Sequence, residues 1–353
     1  MKNNKIILLT GNNNFFGQTR KPWVSMDVDK MQALIQQHGF SVEKYTFHEI
    51  ANKKQQINNS IIFYTFNQKI NRRDYIKDLV RYMDEGSNIL IPSYDLLLCH
   101  ENKGFQELYK KRINLTSLSS YYFSSIKELS DYPVNFPIIL KTVDTSNGKG
   151  VFLIKNQNEL IKVIHNLERK NIFTKLDLVR RKYFRRKKSY KEYPDYSNRA
   201  DYYQYKDYIL KEKNFILQQF VPGLTFDYRV LIFYDKYYVM KRHTRKNDFR
   251  ASGTKIHEFD IEVNDSLLDY AKEVYHKFDT PFLSLDVGFH QNKYYLFEFQ
   301  ALHFGINVLV KSIGFYSFDD KNWNFNRNQN RPDIETEISN ALVKYVKARC
   351  IPK

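Results

Sequence analysis

Residues 286–300 read Asp-Val-Gly-Phe-His-Gln-Asn-Lys-Tyr-Tyr-Leu-Phe-Glu-Phe-Gln, and this segment constrains the architecture of the chain more than any other. Two short apolar runs, Phe282–Val287 and Tyr294–Phe299, flank a polar turn at His290–Lys293. Short apolar runs on either side of a polar turn are typical of a β-hairpin. The segment therefore predicts two antiparallel strands that fold back on each other at Gln291.

Three residues of this hairpin have side chains that end in a carboxylate or an amide oxygen. Asp286 ends the first strand, and Glu298 and Gln300 lie in the second. Residues two apart on a strand point to the same face, so folding the hairpin brings Asp286 opposite Glu298 and Gln300. Hard oxygen ligands gathered in this way suit Mg²⁺ that carries phosphates. The alternative is an exposed hairpin with scattered polar residues, and the hairpin alone does not distinguish the two.

The composition of the chain is that of an ordered globular protein with more than one lobe. The chain has 353 residues, of which 42% are hydrophobic and 16% aromatic, and we expect two or three lobes. No stretch of sequence approaches a membrane span, and the apolar run at Lys5–Thr10 indicates a first strand rather than a signal peptide. The two cysteines, Cys99 and Cys350, are far apart, which favours a reducing, cytoplasmic location.

The formal net charge of +17 is open to three interpretations. It is compatible with a nucleic acid partner, or with a nucleotide pocket together with an anionic acceptor. It also follows from a composition rich in Lys, Asn, Ile and Tyr, the residues of AT-rich codons. The sequence has no zinc-finger, helix-turn-helix or RNA-binding signature, so nothing further supports nucleic acid.

Residues 1–100 alternate strand and helix signals. The predicted helices are Met26–His38, which stops at Gly39, and Asp74–Glu85, which stops at Gly86. This alternation predicts a lobe built on a small parallel sheet. The loop at Gly11–Gly17 lacks the dinucleotide pattern G-x-G-x-x-G. The predicted strands are Lys5–Thr10, Ser41–Phe47, Ile61–Phe66 and Asn88–Pro92.

The rest of the chain predicts a linker with a helix at residues 101–135, a central lobe at 136–222 and a C-terminal lobe at 223–353. An insertion at residues 169–213 interrupts the central lobe, and it contains Arg180–Lys188, where seven of nine residues are basic. Such a segment is a poor core former, and we expect it to be exposed. The predicted strands and helices are Pro137–Lys141, Val151–Lys155, Asn158–Glu168, Asn214–Phe220, Phe226–Tyr234, Lys236–Arg242, Leu267–Phe278 and Ile334–Ala348.

A lysine and a glycine loop in the central lobe suggest a phosphate site. Lys141 ends a strand, and the loop that follows includes Gly148, Lys149 and Gly150. An ammonium group close to free backbone N–H groups binds phosphate well, and glycine lets the backbone approach closely. The loop is not a Walker A motif, and an ordinary hairpin turn remains the alternative.

Two further segments carry residues suited to a nucleotide. The strand Gln218–Val221 ends in Pro-Gly, and the resulting bend exposes backbone groups of the kind that read adenine between apolar walls. Beyond it stand cations that could neutralise phosphates and a carboxylate, although a single arginine is more often in a surface ion pair. These cations are Arg229, Lys241, Arg242 and Arg250.

Taken in order, these motifs resemble those of the ATP-grasp superfamily of carboxylate–amine ligases, over roughly Lys103–Lys311 and with an N-terminal lobe in addition. One departure is Gln300, where the family usually has Asn. The resemblance implies an α/β (α+β) fold with an N-terminal Rossmann-like parallel-sheet lobe, a small central α+β lid lobe and a C-terminal antiparallel-sheet lobe. It assigns nucleotide binding to Lys103, Lys141, Ser146, Gly148, Lys149, Gly150, Gln218, Gln219, Phe220, Val221 and Asp227, metal binding to Asp286, Glu298 and Gln300, and catalysis to Arg229, Lys241 and Arg250.

The resemblance further implies transfer of the ATP γ-phosphate to a carboxylate, which an amine then attacks. One or two Mg²⁺ ions would serve the reaction, and His243 or His303 would be its base. On this interpretation the pair Asp286→Asn and Glu298→Gln abolishes turnover without unfolding the protein. The basic, tyrosine-rich insertion, with Arg180–Lys188 as a docking or lid element, suggests a large anionic or sugar-bearing acceptor, either a surface polysaccharide or a peptide.

Two other interpretations stay open. The first is a basic nucleic-acid-binding protein in which Arg180–Lys188 follows the phosphates. The second is a nucleotide-binding module without catalysis, against which the presence of Lys141, Asp286 and Glu298 argues.

Overall fold

The computed structural model describes residues 5–19, 21–53, 57–84, 87–145, 148–168, 172–184, 195–196, 198–209, 212–259 and 261–350. The predicted helix stop at Gly86, the predicted nucleotide ligand Ser146 and the basic residues 185–188 lie outside them. The chain forms two compact units. Unit 1 consists of Met1–Ser119, Asp144–Lys149 and Val221–Lys353, and unit 2 of Ser120–Val143 and Gly150–Phe220.

The strands follow the predicted ones closely, with bounds that differ by at most three residues, and the structure adds β5, β11, β14 and β15. The strands are β1 (Lys5–Thr10), β2 (Ser41–Thr46), β3 (Ile61–Tyr64), β4 (Ile89–Ile91), β5 (Ser120–Phe123), β6 (Ile138–Thr142), β7 (Val151–Ile154), β8 (Phe215–Gln219), β9 (Phe226–Phe233), β10 (Lys236–His243), β11 (His257–Glu258), β12 (Phe282–His290), β13 (Lys293–Gln300), β14 (Gly314–Phe318) and β15 (Trp323–Arg327).

The predicted helices are also present, and others accompany them. The helices are α1 (Val28–Gln37), α2 (Phe47–Asn52), α3 (Ile70–Met83), α4 (Tyr94–Cys99), α5 (Lys103–Arg112), α6 (Gln157–Leu167), α7 (Ile172–Val179), α8 (Arg199–Tyr208), α9 (Asp265–His276), α10 (Asn307–Lys311) and α11 (Ile334–Cys350). A π-helical turn at Arg180–Phe184 continues α7, and 3₁₀ turns lie at Asn12–Asn14 and Ile126–Asp131. None of the helices in the described part of the chain is long and apolar enough to cross a membrane.

Unit 1 contains the predicted parallel sheet, with strand order β2-β1-β3-β4 and every pair parallel. Asp27 caps α1 by accepting a hydrogen bond from the backbone N–H of Lys30. Gly39, with φ of 86°, follows α1 in the left-handed conformation that glycine tolerates best. The βαβ alternation read from residues 1–100 therefore corresponds to the observed sheet.

Unit 1 also contains an antiparallel sheet in the order β13-β12-β9-β10-β14-β15, with β11 paired to β10. Alternate residues of its central strands enter two different cores. On β9, Leu231 and Phe233 join the core that includes Phe282, and Val230 and Ile232 join the core on the other face. Both faces are therefore covered, and the central strands read as nearly continuous apolar runs.

Unit 2 is built on a four-stranded sheet in the order β5-β8-β6-β7. Its core combines Leu140 and Leu217 of the sheet with Leu160 and Ile164 of α6. The described part of the insertion forms α7, the π-helical turn and α8, and nearly all of its residues are partly or fully exposed. The expectation of an exposed insertion holds for these residues.

Helix α5, which begins at Lys103, contains an ion pair between two buried side chains. Lys110 Nζ lies 2.6 Å from Glu107 Oε1, and both side chains are buried. Removing one member of a buried ion pair leaves the other charge without compensation. The pair therefore places two opposite charges side by side in the buried part of α5, where each compensates the other.

We predict that Glu107→Gln lowers the free energy of unfolding by about 3–5 kcal/mol, because the charge of Lys110 stays buried without a countercharge. Urea unfolding followed by circular dichroism measures the change. The matched control is Glu273→Gln, which breaks an exposed pair with Lys277 and should cost less than about 1 kcal/mol. Equal losses in the two variants would show that the Glu107–Lys110 pair does not support α5.

Candidate functional site

The hairpin of β12 and β13 has the geometry that its sequence predicts. Gln291 and Asn292 form the turn with φ of 49° and 57°, the combination found in two-residue hairpin turns of type I′. The register pairs Asp286 with Glu298 and Ser284 with Gln300. Asp286, Glu298 and Gln300 therefore lie on one face of the sheet, across two neighbouring strands.

A β-bulge lies next to this pair. The register shifts after Asp286, so that Val287 pairs with Leu296 and Phe297 is the extra residue. A Cβ on Gly288 would lie 2.5 Å from Phe297 Cζ, so only glycine leaves space for this ring. Bulges bend the strand locally and redirect neighbouring side chains. Gly288 and Phe297 therefore help set the direction of Glu298.

Four charged side chains from three adjacent strands meet on the same face. Asp286 pairs across strands with Arg229, and Asp227 pairs with Arg242. Arg229 donates from Nε to Asp286 Oδ1 at 2.8 Å and from Nη2 to Oδ2 at 2.9 Å. Arg242 donates from Nε and Nη2 to the two oxygens of Asp227, each at 2.7 Å. Arg242 Nη2 also lies 2.9 Å from Asp286 Oδ2, which joins the two pairs into one network.

The network is buried and electrically balanced, with two guanidinium groups for two carboxylates. Asp227, Arg242 and Asp286 are each less than a tenth exposed. Burial by itself would raise the pKa of Asp286, but Arg229 and Arg242 outweigh it and hold the pKa below its ordinary value. Burial raises the pKa of Asp227 and the negative charge of Asp286 adds to the effect, while Arg242 opposes it. Asp286 is therefore the member held most firmly in its charged form.

Two residues of this network differ from what the sequence predicts. Arg242 was expected to neutralise phosphates, but its guanidinium is enclosed by Asp227 and Asp286. Asp227 was expected to contact the nucleotide, yet both of its carboxylate oxygens accept hydrogen bonds from Arg242 and it is buried. Both residues are corrected from ligand contacts to supports, since they hold Asp286 and Arg229 in place.

The predicted catalytic residue Lys241 is separated from this network by the sheet itself. Successive residues of a strand point to opposite faces, and Arg242 is the residue that faces Asp286. Lys241 pairs with Tyr228 and extends over Phe226, with Nζ 4.2 Å from the ring centroid. The structure therefore does not bring Lys241 together with Arg229, contrary to the prediction.

The donor set on the hairpin fits one Mg²⁺ ion that is shared with phosphates. Oδ2 of Asp286 accepts from both arginines, whereas among the described residues Oδ1 accepts only from Arg229, which leaves one lone pair of Oδ1 for a metal ion. Glu298 is only partly buried, and its Oε1 lies 3.5 Å from Gln300 Nε2. Among the described residues, no group of three or more His, Cys, Asp or Glu side chains is arranged to hold a metal ion. Two carboxylates with substrate phosphates are the usual environment of Mg²⁺, so a third acid is not needed.

The predicted phosphate loop packs against the segment that contains Arg250, and both lie in unit 1. Arg250 binds Asp248 through two nitrogens and donates from Nη1 to the carbonyl oxygen of Gly148 at 3.2 Å. Gly148 has φ of 71°, and a Cβ there would lie 2.8 Å from the carbonyl oxygen of Ser252. Lys103 donates from Nζ to the carbonyl oxygen of Thr145. Lys103, Gly148 and Arg250, which the sequence suggested independently, therefore meet at one loop.

Of the remaining residues that were predicted to bind the nucleotide, some belong to unit 1 and others to unit 2. Lys149 is exposed, and the carbonyl oxygen of Gly150 accepts from the backbone N–H of Thr142 at 2.8 Å. In unit 2, Lys141 pairs across strands with Val151 and Ile216. The predicted adenine strand is β8, on which Gln218 is buried and Gln219 is exposed; Phe220 follows in unit 2, and Val221 begins the next part of unit 1.

The sequence analysis missed Glu101, which lies just before α5. It has φ of 53°, a conformation that is strained for a residue other than glycine. Burial raises the pKa of Glu101, and the negative charges of Glu298 and Asp144 add to the effect, while Lys103 opposes it. Glu101 is therefore a third acid close to the hairpin. Its position next to Lys103 was the only signal in the sequence.

The two candidate bases are in different environments. Nε2 of His243 lies 2.9 Å from Glu258 Oε2 on the exposed side of β11. His303 is mostly enclosed, its backbone N–H donates to Gln18 Oε1 at 2.5 Å, and burial lowers the pKa of its imidazole. Of the two, His303 follows the hairpin strand, and its lowered pKa keeps its imidazole neutral at pH 7.

We predict that Asp286→Asn lowers the free energy of unfolding by about 3–5 kcal/mol, because it leaves the buried guanidinium of Arg242 and the partly buried one of Arg229 with one carboxylate. This corrects the expectation that Asp286→Asn together with Glu298→Gln leaves the fold intact. Asp248→Asn is the control, since it breaks a bidentate but partly exposed arginine pair and should cost about 1 kcal/mol or less. The network would have no structural role if both variants unfolded at the same urea concentration.

Comparisons with known proteins agree with this fold. Residues 100–190 match the family model described as the RimK-like ATP-grasp domain. A RimK domain protein of the ATP-grasp type from Sphaerobacter thermophilus is 8% identical with a TM-score of 0.52, over 97% of this chain and 98% of that one. D-cycloserine synthetase DcsG is 10% identical with a TM-score of 0.50, over 97% and 100%. No curated protein matches the sequence significantly. The predicted mixed α/β fold and the resemblance to ATP-grasp ligases are thus confirmed.

Proposed function

We propose that this protein is an ATP-dependent carboxylate–amine ligase that forms an amide through an acylphosphate and releases ADP and phosphate. The observation that supports this most is the pairing of Asp286 with Glu298 across the hairpin, directly beside Arg229. The arrangement combines ligands for Mg²⁺ with a cation placed for a reacting carboxylate. Phosphoryl transfer depends on positioning and charge neutralisation, and these residue types supply both.

Asp286 Oδ1, Glu298 and the amide oxygen of Gln300 would hold the Mg²⁺ ion. The ion supplies neutralisation of phosphate charge when it is bound. Gln300 reaches the same ligand position as the more usual asparagine through one additional methylene group. Its amide now presents Nε2 to Glu298, so coordination requires the amide to turn over.

Arg229 is the residue that we assign to the reacting carboxylate. Its Nε and Nη2 are bound to Asp286, whereas Nη1 has no hydrogen-bond partner among the described residues. Nη1 lies 3.3 Å from the position that a Cβ on Gly305 would occupy. The absence of a side chain at Gly305 leaves this edge of the guanidinium approachable. Arg229 would therefore stabilise the acylphosphate and, later, the oxyanion formed by the attacking amine.

In unit 1, Lys103, Arg250 and the loop that they hold, with Lys149, would receive the phosphates of ATP; Lys141 of unit 2 stays a predicted phosphate ligand. Lys103 and Arg250 now bind backbone carbonyl oxygens of the loop, at Thr145 and Gly148. Both contacts are neutral acceptors, which a phosphate would replace with a stronger, charged one. The amine acceptor would be a peptide or a surface polysaccharide, and each of the two stays a prediction.

We predict that turnover yields ADP and phosphate, and that Glu298→Gln abolishes both this reaction and Mg²⁺-dependent binding of ATP. Phosphorus NMR of mixtures with amino acids, uronic acids and peptides as candidate acceptors identifies the products. Mn²⁺ binding followed by electron paramagnetic resonance tests the metal site without turnover. Glu262→Gln, an exposed glutamate outside the hairpin, is the control. Accumulation of pyrophosphate would replace the acylphosphate mechanism by adenylation, and normal Mn²⁺ binding in Glu298→Gln would remove the metal assignment.

We predict that Lys141→Ala weakens ATP binding by about 1.5–3 kcal/mol, the range for hydrogen bonds to charged groups. Isothermal titration calorimetry at fixed Mg²⁺ concentration gives the difference. Lys155→Ala removes an exposed lysine just beyond β7 of the same unit and should leave the affinity unchanged. Equal ATP affinity in Lys141→Ala and the wild type would make Lys141 a structural lysine of the sheet.

A further inference from the structure

In unit 2, the polar side chains of α7 and of the π-helical turn after it contact α8 and the residues just before α8. Asp177 accepts a hydrogen bond from the hydroxyl of Tyr205 on α8, and its Oδ2 lies 3.1 Å from Arg181 Nε. The guanidinium of Arg181 lies 4.2 Å from the centre of the Tyr205 ring, and its Nη1 donates to the hydroxyl of Tyr196 at 3.0 Å. The polar side of α7 is thus fixed against α8 and the residues just before it.

The opposite side of the same segment presents apolar side chains to solvent. We call this set the α7 stripe, and its members with their exposed fractions are Phe173 (73%), Leu176 (59%), Val179 (47%), Tyr183 (68%) and Phe184 (77%). The spacing of three, three and four residues from Phe173 to Tyr183 places neighbours one above another along a helix. This arrangement inverts the usual amphipathic pattern, in which the apolar side faces the core.

Cations accompany the stripe on its exposed side. Lys175, Arg180 and Lys182 are all exposed, and Arg180 also contacts Asp177 at 2.7 Å. Asp177 is the only acidic residue of the segment 172–184, and it is engaged with Arg181 and Tyr205. The surface around the stripe therefore has a positive potential that favours acidic groups at its margins.

Unit 2 holds α8, and with it the stripe, in a defined orientation. Lys127, in the 3₁₀ turn that follows β5, contacts Asp207 on α8 through both carboxylate oxygens, at 3.0 and 2.8 Å. Asp177 and Arg181 then connect α8 to α7. The stripe is therefore a preformed surface, and a partner that binds there does not bear the entropic cost of ordering it.

We propose that the α7 stripe docks an acidic amphipathic helical segment of a partner polypeptide. An apolar row about 16 Å long, at 1.5 Å per residue, matches the apolar face of a helix with anchors at i, i+3 and i+7. Acidic residues on both sides of that face would meet Lys175, Arg180 and Lys182. This inference goes beyond the proposed ligase activity, because docking needs neither ATP nor turnover.

Two other kinds of partner fit the surface less well. A nucleic acid backbone would pair with the lysines and the arginine but would leave five apolar side chains in water. Helices that lie on membranes turn a strongly polar face to the solvent, whereas the polar face of α7 is occupied by Tyr205 and Tyr196. A polypeptide with an apolar face satisfies both the stripe and its cations.

The test uses the full chain and two fluorescein-labelled synthetic peptides of 18 residues. In one peptide, leucines at helical spacing form a single face with glutamates beside it, and in the other the same residues are scrambled. Fluorescence anisotropy should show at least tenfold tighter binding of the amphipathic peptide. The double variant Leu176→Gln with Tyr183→Ser should reduce its affinity to that of the scrambled peptide. Ile161→Gln, an exposed apolar residue on α6 of the same unit, should leave it unchanged.

The contribution of the cations is measured separately. The pair Lys175→Gln and Lys182→Gln should weaken binding severalfold and flatten its dependence on salt. All the substituted side chains are exposed, so circular dichroism should show unchanged folding in each variant. Equal binding of both peptides would overturn the proposal. So would stripe-dependent binding to phosphatidylserine vesicles without peptide binding, or stripe-dependent self-association in analytical ultracentrifugation, which would identify a lipid surface or a second copy as the occupant.

Discussion

The guanidinium of Arg242 lies buried between Asp227 and Asp286, and the candidate site depends on this contact. A buried arginine must satisfy its charge locally, and here it does so with carboxylates from two other strands. Arg229 and Arg242 both contact Oδ2 of Asp286, and Arg229 also contacts Oδ1. The position that remains for a metal ion is therefore on Oδ1. Arg229 is fixed by the same pairing, so the network orients both a metal ligand and a cation at once.

The hairpin could be predicted because its information is local. The two-residue period of a strand and the Gln291–Asn292 turn determine which side chains share a face, and no distant contact is needed to place Asp286 opposite Glu298. The same holds for the parallel sheet of residues 5–91, where helix stops and apolar runs mark each element. In these regions, local preference and tertiary structure agree.

The rest depends on contacts that the sequence does not display. The run Tyr237–Met240 of β10 is apolar because both faces of the strand are buried there, so its pattern does not show whether Lys241 or Arg242 faces the site. Glu101 lies far from Glu298 in sequence, and only the fold of unit 1 brings the two charges near each other. Strand β15 contains Asn324 and Asn326, a residue type that is rare in strands, and it is held in the sheet by β14, which in turn pairs with β10.

The six-residue loop Asp144–Lys149 belongs to unit 1, although the strands on either side of it belong to unit 2. The backbone therefore passes from one unit to the other four times, at residues 119–120, 143–144, 149–150 and 220–221. Unit 2 is consequently not one continuous segment, so recombination at two points of the chain could not exchange it without also exchanging the loop Asp144–Lys149. A transplanted unit 2 would carry a foreign glycine loop into the place where Arg250 holds Gly148. The fit between the loop and Arg250, which lies 102 positions further along the chain, would then have to be restored.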